Sequence, residues 1–382
     1  MAAADELIVE VDIATRVVAD DEDIYIVRPG AGYALYNEFK QTDRVFLDFP
    51  GLGLDINRSV PEASRLREMI ARSMLVREWH LDEQQSPEPD RRIESYDGRA
   101  KGRRFGRYAA AIEKLYYDLP AGTIIVVPGP GLLSDVLIGV LEGKPHLATD
   151  IQAYPGERMP VRNVRWMGKK QRSEFSDEVR ERLGNSHPVM VLDRSMREEI
   201  LEAGFDRFVF EGQFYARLET TKAEFSTLDD YNIQSFVNFV AGAMAAREEG
   251  VQQAHSIDLD AALALLAQHR ELVPELTVNI NSPGFLRIIS DRIAPLVIAM
   301  LFSVAIVVPA GAQPSHIVPK NSAAAPSDPC AVNVATEAMG AMRLMGYADW
   351  KRACEKARDA QSSTGVRTNM STKIHHTTHG KQ

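Results

Sequence analysis

Ile293-Ala-Pro-Leu-Val-Ile-Ala-Met-Leu-Phe-Ser-Val-Ala-Ile-Val-Val-Pro-Ala-Gly-Ala312 carries no charged side chain. About twenty such residues are close to what a helix needs to cross a hydrocarbon core about 30 Å thick. The run predicts a transmembrane helix over 293–312, between a large acidic region and a short tail over 313–382 that holds both cysteines. Arg287 and Arg292 precede the run and only Lys320 follows it closely, while the net positive tail argues for the opposite orientation. Moving a large region without its own signal across a membrane is the harder route. The chain is therefore expected at the cell membrane as a single-pass protein, N-terminal region cytoplasmic and tail extracytoplasmic. An oxidising exterior permits a Cys330–Cys354 disulfide, two free thiols being the alternative. The stretch also reads as an export signal, because Arg292, the apolar core and Pro309-Ala-Gly-Ala312 have the order and spacing of a signal-peptidase site. Anchor and cleavable signal both stay open.

The 382 residues are 45% hydrophobic and 25% charged, which describes a folded chain of more than one domain. With 53 acidic against 44 basic side chains the net charge is −9, no footprint for non-specific nucleic-acid binding, although a local basic groove is compatible with it. The first residues lack a basic start and apolar core, so no secretion signal is expected there.

Working back from the run, residues 24–29 read as a strand left through the turn Gly30-Ala-Gly32, with a short helix over 33–41 and a strand over 44–49 ended by Pro50-Gly51. Leu66, Met69, Ile70, Met74 and Leu75 recur at helical spacing. A charged loop follows, then an amphipathic helix over 103–117. Its basic start, with Arg99, Lys101, Arg103, Arg104 and Arg107, opposes the helix dipole and marks either an anion contact or a solvated loop. Residues 123–127 form a buried strand, Pro128-Gly-Pro-Gly131 its turn, and 135–141 its antiparallel partner. A strand over 161–167, a helix capped by Ser173, a strand over 187–192 and a helix from Ser195 complete residues 1–204. The expected fold is α+β, a small curled mixed sheet or partly open barrel with peripheral helices. Residues 205–290 read as a second α+β unit or stalk: a hairpin about Glu211-Gly212, helices over 229–249 and 259–269, and a strand over 276–280. The tail over 332–361 predicts a helix or a helical hairpin broken near Gly346-Tyr347, either an oligomerising or partner-binding cap, consistent with a homo-oligomer, or a modest anchor domain.

Catalytic motifs are scarce. Gly30-Ala-Gly32 lacks the third glycine of a dinucleotide fingerprint, and residues 128–134 lack the lysine of a phosphate loop. No Gly-x-Ser-x-Gly elbow occurs. His375, His376 and His379 lie in a Ser/Thr-rich end expected to be disordered, so no metal or cofactor is implied. Glu219-Thr-Thr-Lys222 has the residue types of a Mg²⁺-dependent nuclease but places the two on opposite faces of a continued strand. The large region thus points to binding and sensing; a nuclease and a structural anchor or scaffold are the alternatives.

One resemblance refines this. Arg28-Pro-Gly-Ala-Gly32, the helix with Phe39, the strand ending at Phe49-Pro50, the unit from Ala111 to Gly143, the Arg-x-x-Arg-Trp strand over 161–167 and the segment 173–183 together resemble the EVE/PUA-like N-terminal domain of Mrr-type restriction and defence proteins. The resemblance implies a nucleic-acid or nucleotide ligand, with Tyr33, Phe49 and Trp166 as stacking surfaces and Arg104, Arg107 and Arg165 as phosphate contacts. Where those proteins carry a nuclease domain, this chain carries the apolar run and tail. A membrane-anchored sensor in a defence or stress pathway is the resulting expectation.

Overall fold

The structure, a computed structural model, describes residues 6–98, 102–222, 225–248, 257–279, 284–308, 316–323 and 329–377. The chain divides into two compact units, Asp21–Phe205 and a unit built from Met1–Asp20 with Asp206–Gln382. Strands β1 (Glu6–Asp12) and β2 (Arg16–Val17) precede the first of these and belong to the second.

Asp21–Phe205 contains β3 (Tyr25–Val27), α1 (Tyr36–Thr42), β4 (Arg44–Val45), α2 (Ala63–Leu81), α3 (Arg103–Glu113), β5 (Ile124–Val127), β6 (Asp135–Ala148), β7 (Met159–Gln171), α4 (Asp177–Leu183), β8 (Val189–Val191) and α5 (Arg197–Gly204). Its sheet has the order β4-β7-β6-β5-β3-β8, with β3 and β5 parallel and the other neighbours antiparallel. The sheet is open, with β4 and β8 at its ends, which corrects the expected partial barrel. Ile124–Val127 is apolar at every position because both faces are covered. The buried Arg162 guanidinium of β7 donates to the carbonyls of Leu115, Leu119 and Gly143, closing the turn of π-helix that ends α3. Ser176, not Ser173, caps α4, its Oγ accepting from Val179 N. The ladder predicted over 44–49 stops at Val45, and the chain beyond it leaves the sheet.

The other unit continues with β9 (Arg207–Phe210), β10 (Gln213–Thr220), α6 (Thr227–Glu248), α7 (Leu259–Gln268), β11 (Glu275–Asn279), β12 (Gly284–Ser290), α8 (Ala294–Val307), β13 (His316–Lys320), α9 (Pro329–Thr364), β14 (Val366–Arg367) and β15 (Ser371–Thr377). One sheet runs β11-β12-β10-β9-β2, with β14 also on β10; a smaller one runs β13-β1-β15. Glu211 and Gly212, both at positive φ, turn the β9–β10 hairpin.

The transmembrane prediction fails at α8. Its 14 residues rise about 21 Å, short of the about 30 Å a span requires. Among the described residues no helix is long and apolar enough to cross a membrane. Every side chain from Ala294 to Ala305 is buried in a protein core, with Phe302 edge-on to Phe236 of α6 at 4.6 Å between centroids. Ser303 hydrogen-bonds Thr372 of β15. A helix apolar on all sides is equally the signature of a core helix wrapped by other elements. The transmembrane anchoring and the single-pass localisation fall with the span. The cleavage site after Ala312 lies outside the described residues.

The predicted disulfide is also corrected. Cys354 is a free, buried thiol. Both cysteines belong to α9, about 36 Å apart along its axis, whereas a disulfide needs Cα atoms within about 7 Å. The Ser/Thr-rich end expected to be disordered is β15 as far as Thr377, antiparallel to β1; His379 lies outside the described residues.

Candidate functional site

A cavity of about 340 Å³ opens in Asp21–Phe205, within the range of small-molecule sites. Its floor is made by the segment that leaves the sheet after Val45: Leu47, Asp48 and Phe49 line it, with Met74 and Arg77 from α2, Arg107 and Tyr108 from α3, and the turn at Gly30–Gly32. Phe49 is buried and meets the half-buried Tyr108 edge-on at 5.2 Å between centroids. Buried Arg72 of α2 holds the next residues in place, donating to the Gly51 and Leu52 carbonyls at 2.8 and 2.9 Å.

Asp48 is the centre of the polar wall. Its carboxylate pairs with Arg77 Nε at 2.8 Å, accepts from Ala31 N at 3.3 Å and receives the Tyr154 hydroxyl. Gly30 sits at φ 71°, and a Cβ there would come 3.0 Å from Asp48 Oδ2, so the turn requires glycine to close on the acid. Burial, reinforced by the Asp48 charge, pushes the Tyr154 phenol well above its ordinary pKa and keeps it a donor. Tyr33 holds φ 63°, uncommon for a residue with a Cβ. Its ring lies 4.4 Å from the Arg28 guanidinium and its hydroxyl accepts from Arg172 at 3.2 Å.

The charges do not balance. Arg77 and Asp48 neutralise each other. Among the described residues Arg28 donates only to the Gly184 and Asn185 carbonyls, and Arg107 lies beside the Tyr108 ring at 6.0 Å. Among the described residues neither guanidinium meets a carboxylate. An aromatic floor beside two uncompensated cations suits a flat apolar ligand bearing negative charge.

Of the residues expected from sequence, Phe49 and Arg107 line the cavity and Tyr33 stands one residue beyond its glycine rim. Arg104 is exposed over the Phe105 ring, Arg165 is exposed and paired with Glu142 at 3.0 Å, and Trp166 packs across Gly139; none lines the cavity. Arg99 and Lys101 lie outside the described residues. Asp48, Arg77, Tyr108 and Tyr154 were not anticipated, and the acid beside Phe49 at the end of an apolar run was the signal that could have found them. Lys222 is bound by Asp229 at 2.5 Å and by the Ser363 carbonyl, while Glu219 is exposed on β10. No group of three or more metal-ligating side chains occurs among the described residues. A cavity of about 530 Å³ in the other unit is lined by Glu10, which pairs Lys320 at 2.7 Å, and by Asp12, which accepts from Ala14 N and Ser322 N.

No protein-family model, curated protein or solved structure matches the chain.

Proposed function

We propose that Asp21–Phe205 is a recognition unit for a nucleobase-bearing anion, a nucleotide or an exposed nucleotide of a nucleic acid, and that it serves sensing in a defence or stress pathway. The observation that carries the ligand class is the pairing of the Phe49–Tyr108 floor with Arg28 and Arg107, two guanidiniums free of carboxylates beside an acid already neutralised. The base lies against the aromatic floor, the phosphate meets Arg107 and Arg28, and the Gly30–Gly32 backbone offers close approach at the rim. The sensing role rests on the resemblance to the EVE/PUA-like domain and on the scarcity of catalytic motifs.

Titration calorimetry of the full chain with nucleoside monophosphates tests this directly. Saturable binding is expected, weakened by about 1–3 kcal/mol in Tyr108→Ala through lost stacking, and made less salt-dependent in Arg107→Gln through the lost phosphate contact. Absence of saturable binding to every base would remove the proposal.

A further inference from the structure

Two leucines stand where a tight turn ordinarily carries glycine or small polar residues. Gly131-Leu132-Leu133-Ser134 closes through Ser134 N donating to the Gly131 carbonyl at 3.1 Å, and Ser134 Oγ accepts from Gly131 N at 3.2 Å. The Leu132 carbonyl accepts from Ser173 N at 2.8 Å and the Ser134 carbonyl from Arg172 N at 3.0 Å. Pro128 and Pro130 restrict the approach to the turn. Held in this way, Leu132 and Leu133 occupy both central positions and are 60% and 80% exposed.

The surroundings are basic and lead to the cavity. Lys40 and Lys169 share the Asp135 carboxylate at 3.5 and 3.0 Å, and Lys170 lies over the Phe175 ring. Arg172, whose backbone fastens the turn, donates to the hydroxyl of Tyr33, and the Tyr33 ring carries Arg28 of the cavity wall. Arg172 and Tyr33 thus connect the apolar turn to Arg28 of the cavity wall.

We propose that Leu132 and Leu133 form a wedge that enters a nucleic-acid duplex beside the cavity, so that the ligand is a base displaced from its stack rather than a free nucleotide; this rests on the nucleobase reading of the cavity. Apolar side chains inserted between base steps unstack them, and flanking cations hold the adjacent phosphates. A displaced base needs a pocket to receive it, and its partner strand needs an apolar surface in its place. A lipid surface fits less well. Two leucines bury fewer methylenes than a single myristoyl chain, which alone gives only marginal membrane binding, and a bilayer leaves the connection to the cavity without a use.

The full chain, wild type and L132S/L133S, is titrated with nucleoside monophosphates, with a DNA duplex carrying 2-aminopurine opposite a mismatch, and with phosphatidylserine vesicles. The wild type is expected to brighten the fluorescent base. The double variant, its fold verified by circular dichroism, is expected to lose that brightening and about tenfold or more in duplex affinity, with monophosphate affinity unchanged. Equal duplex affinity and brightening in the variant would overturn the wedge while leaving the cavity reading intact. Duplex binding without brightening, or a leucine effect confined to vesicles, would overturn it as well. No monophosphate binding by the wild type would remove the cavity reading and the wedge together.

Discussion

Asp48 shows how much one side chain can organise. It is only 12% exposed, holds Arg77 and Tyr154, and shapes the glycine turn above it. Asp48→Ala should cost about 2–3 kcal/mol in urea denaturation, below the about 3–5 kcal/mol of a fully buried broken pair because Arg77 keeps some solvent. Cys354 is a second case. Burial pushes its thiol up to about 12, so it should resist alkylation at pH 8 in the native chain and react only on unfolding, as mass spectrometry would record. At this scale the positions of Phe49 and Arg107 on the cavity wall were reachable from sequence only through the resemblance, which asked for an aromatic and an arginine. Asp48 and Arg77 were not, since an acid at a strand end and a cation on a helix each read as solvated until folding sets them against each other.

Among the elements, α8 and α6 carry the clearest tests. Phe302→Ala should destabilise the unit by about 3–5 kcal/mol through a cavity against Phe236, measured by denaturant unfolding. At the start of α6, Ser226 and Asp229 form a reciprocal cap: Asp229 N donates to Ser226 Oγ, and Ser226 N donates to Asp229 Oδ2. Hydrogen bonds from Lys222 first, then from Ser226, hold the Asp229 carboxyl down to about 2, from an ordinary 3.8. Because the folded value is the lower one, this stabilisation is complete above about pH 4 and is lost as pH falls towards 2. Asp229→Asn should therefore flatten the acid limb of the stability profile in that window. The β9–β10 hairpin was readable from Glu211-Gly212 alone, as a local φ requirement. The apolar run was not, because hydropathy reports that a helix avoids water and says nothing of whether lipid or protein covers it.

For the molecule as a whole, the two-unit division rests on pairings between distant residues that local pattern does not encode. β1 is the central strand of β13-β1-β15, and β2 pairs with β9 in parallel, so Asp21–Phe205 is an insertion whose flanking strands meet. Residues 21–205 expressed alone should unfold cooperatively, whereas removing residues 1–20 from the full chain should strip the centre of a sheet and expose α8, giving dye binding and aggregation in scattering measurements. The same topology orders events during synthesis. β1 leaves the ribosome first, yet Thr15 hydrogen-bonds Asn321, 306 positions later. An unfolded intervening chain would make that closure entropically costly. Once Asp21–Phe205 has folded, β2 and β9 are held as neighbours and the loop to be closed shrinks to the residues that follow. The insertion thus doubles as an internal folding clamp, and α8 is made only after the clamp can be in place.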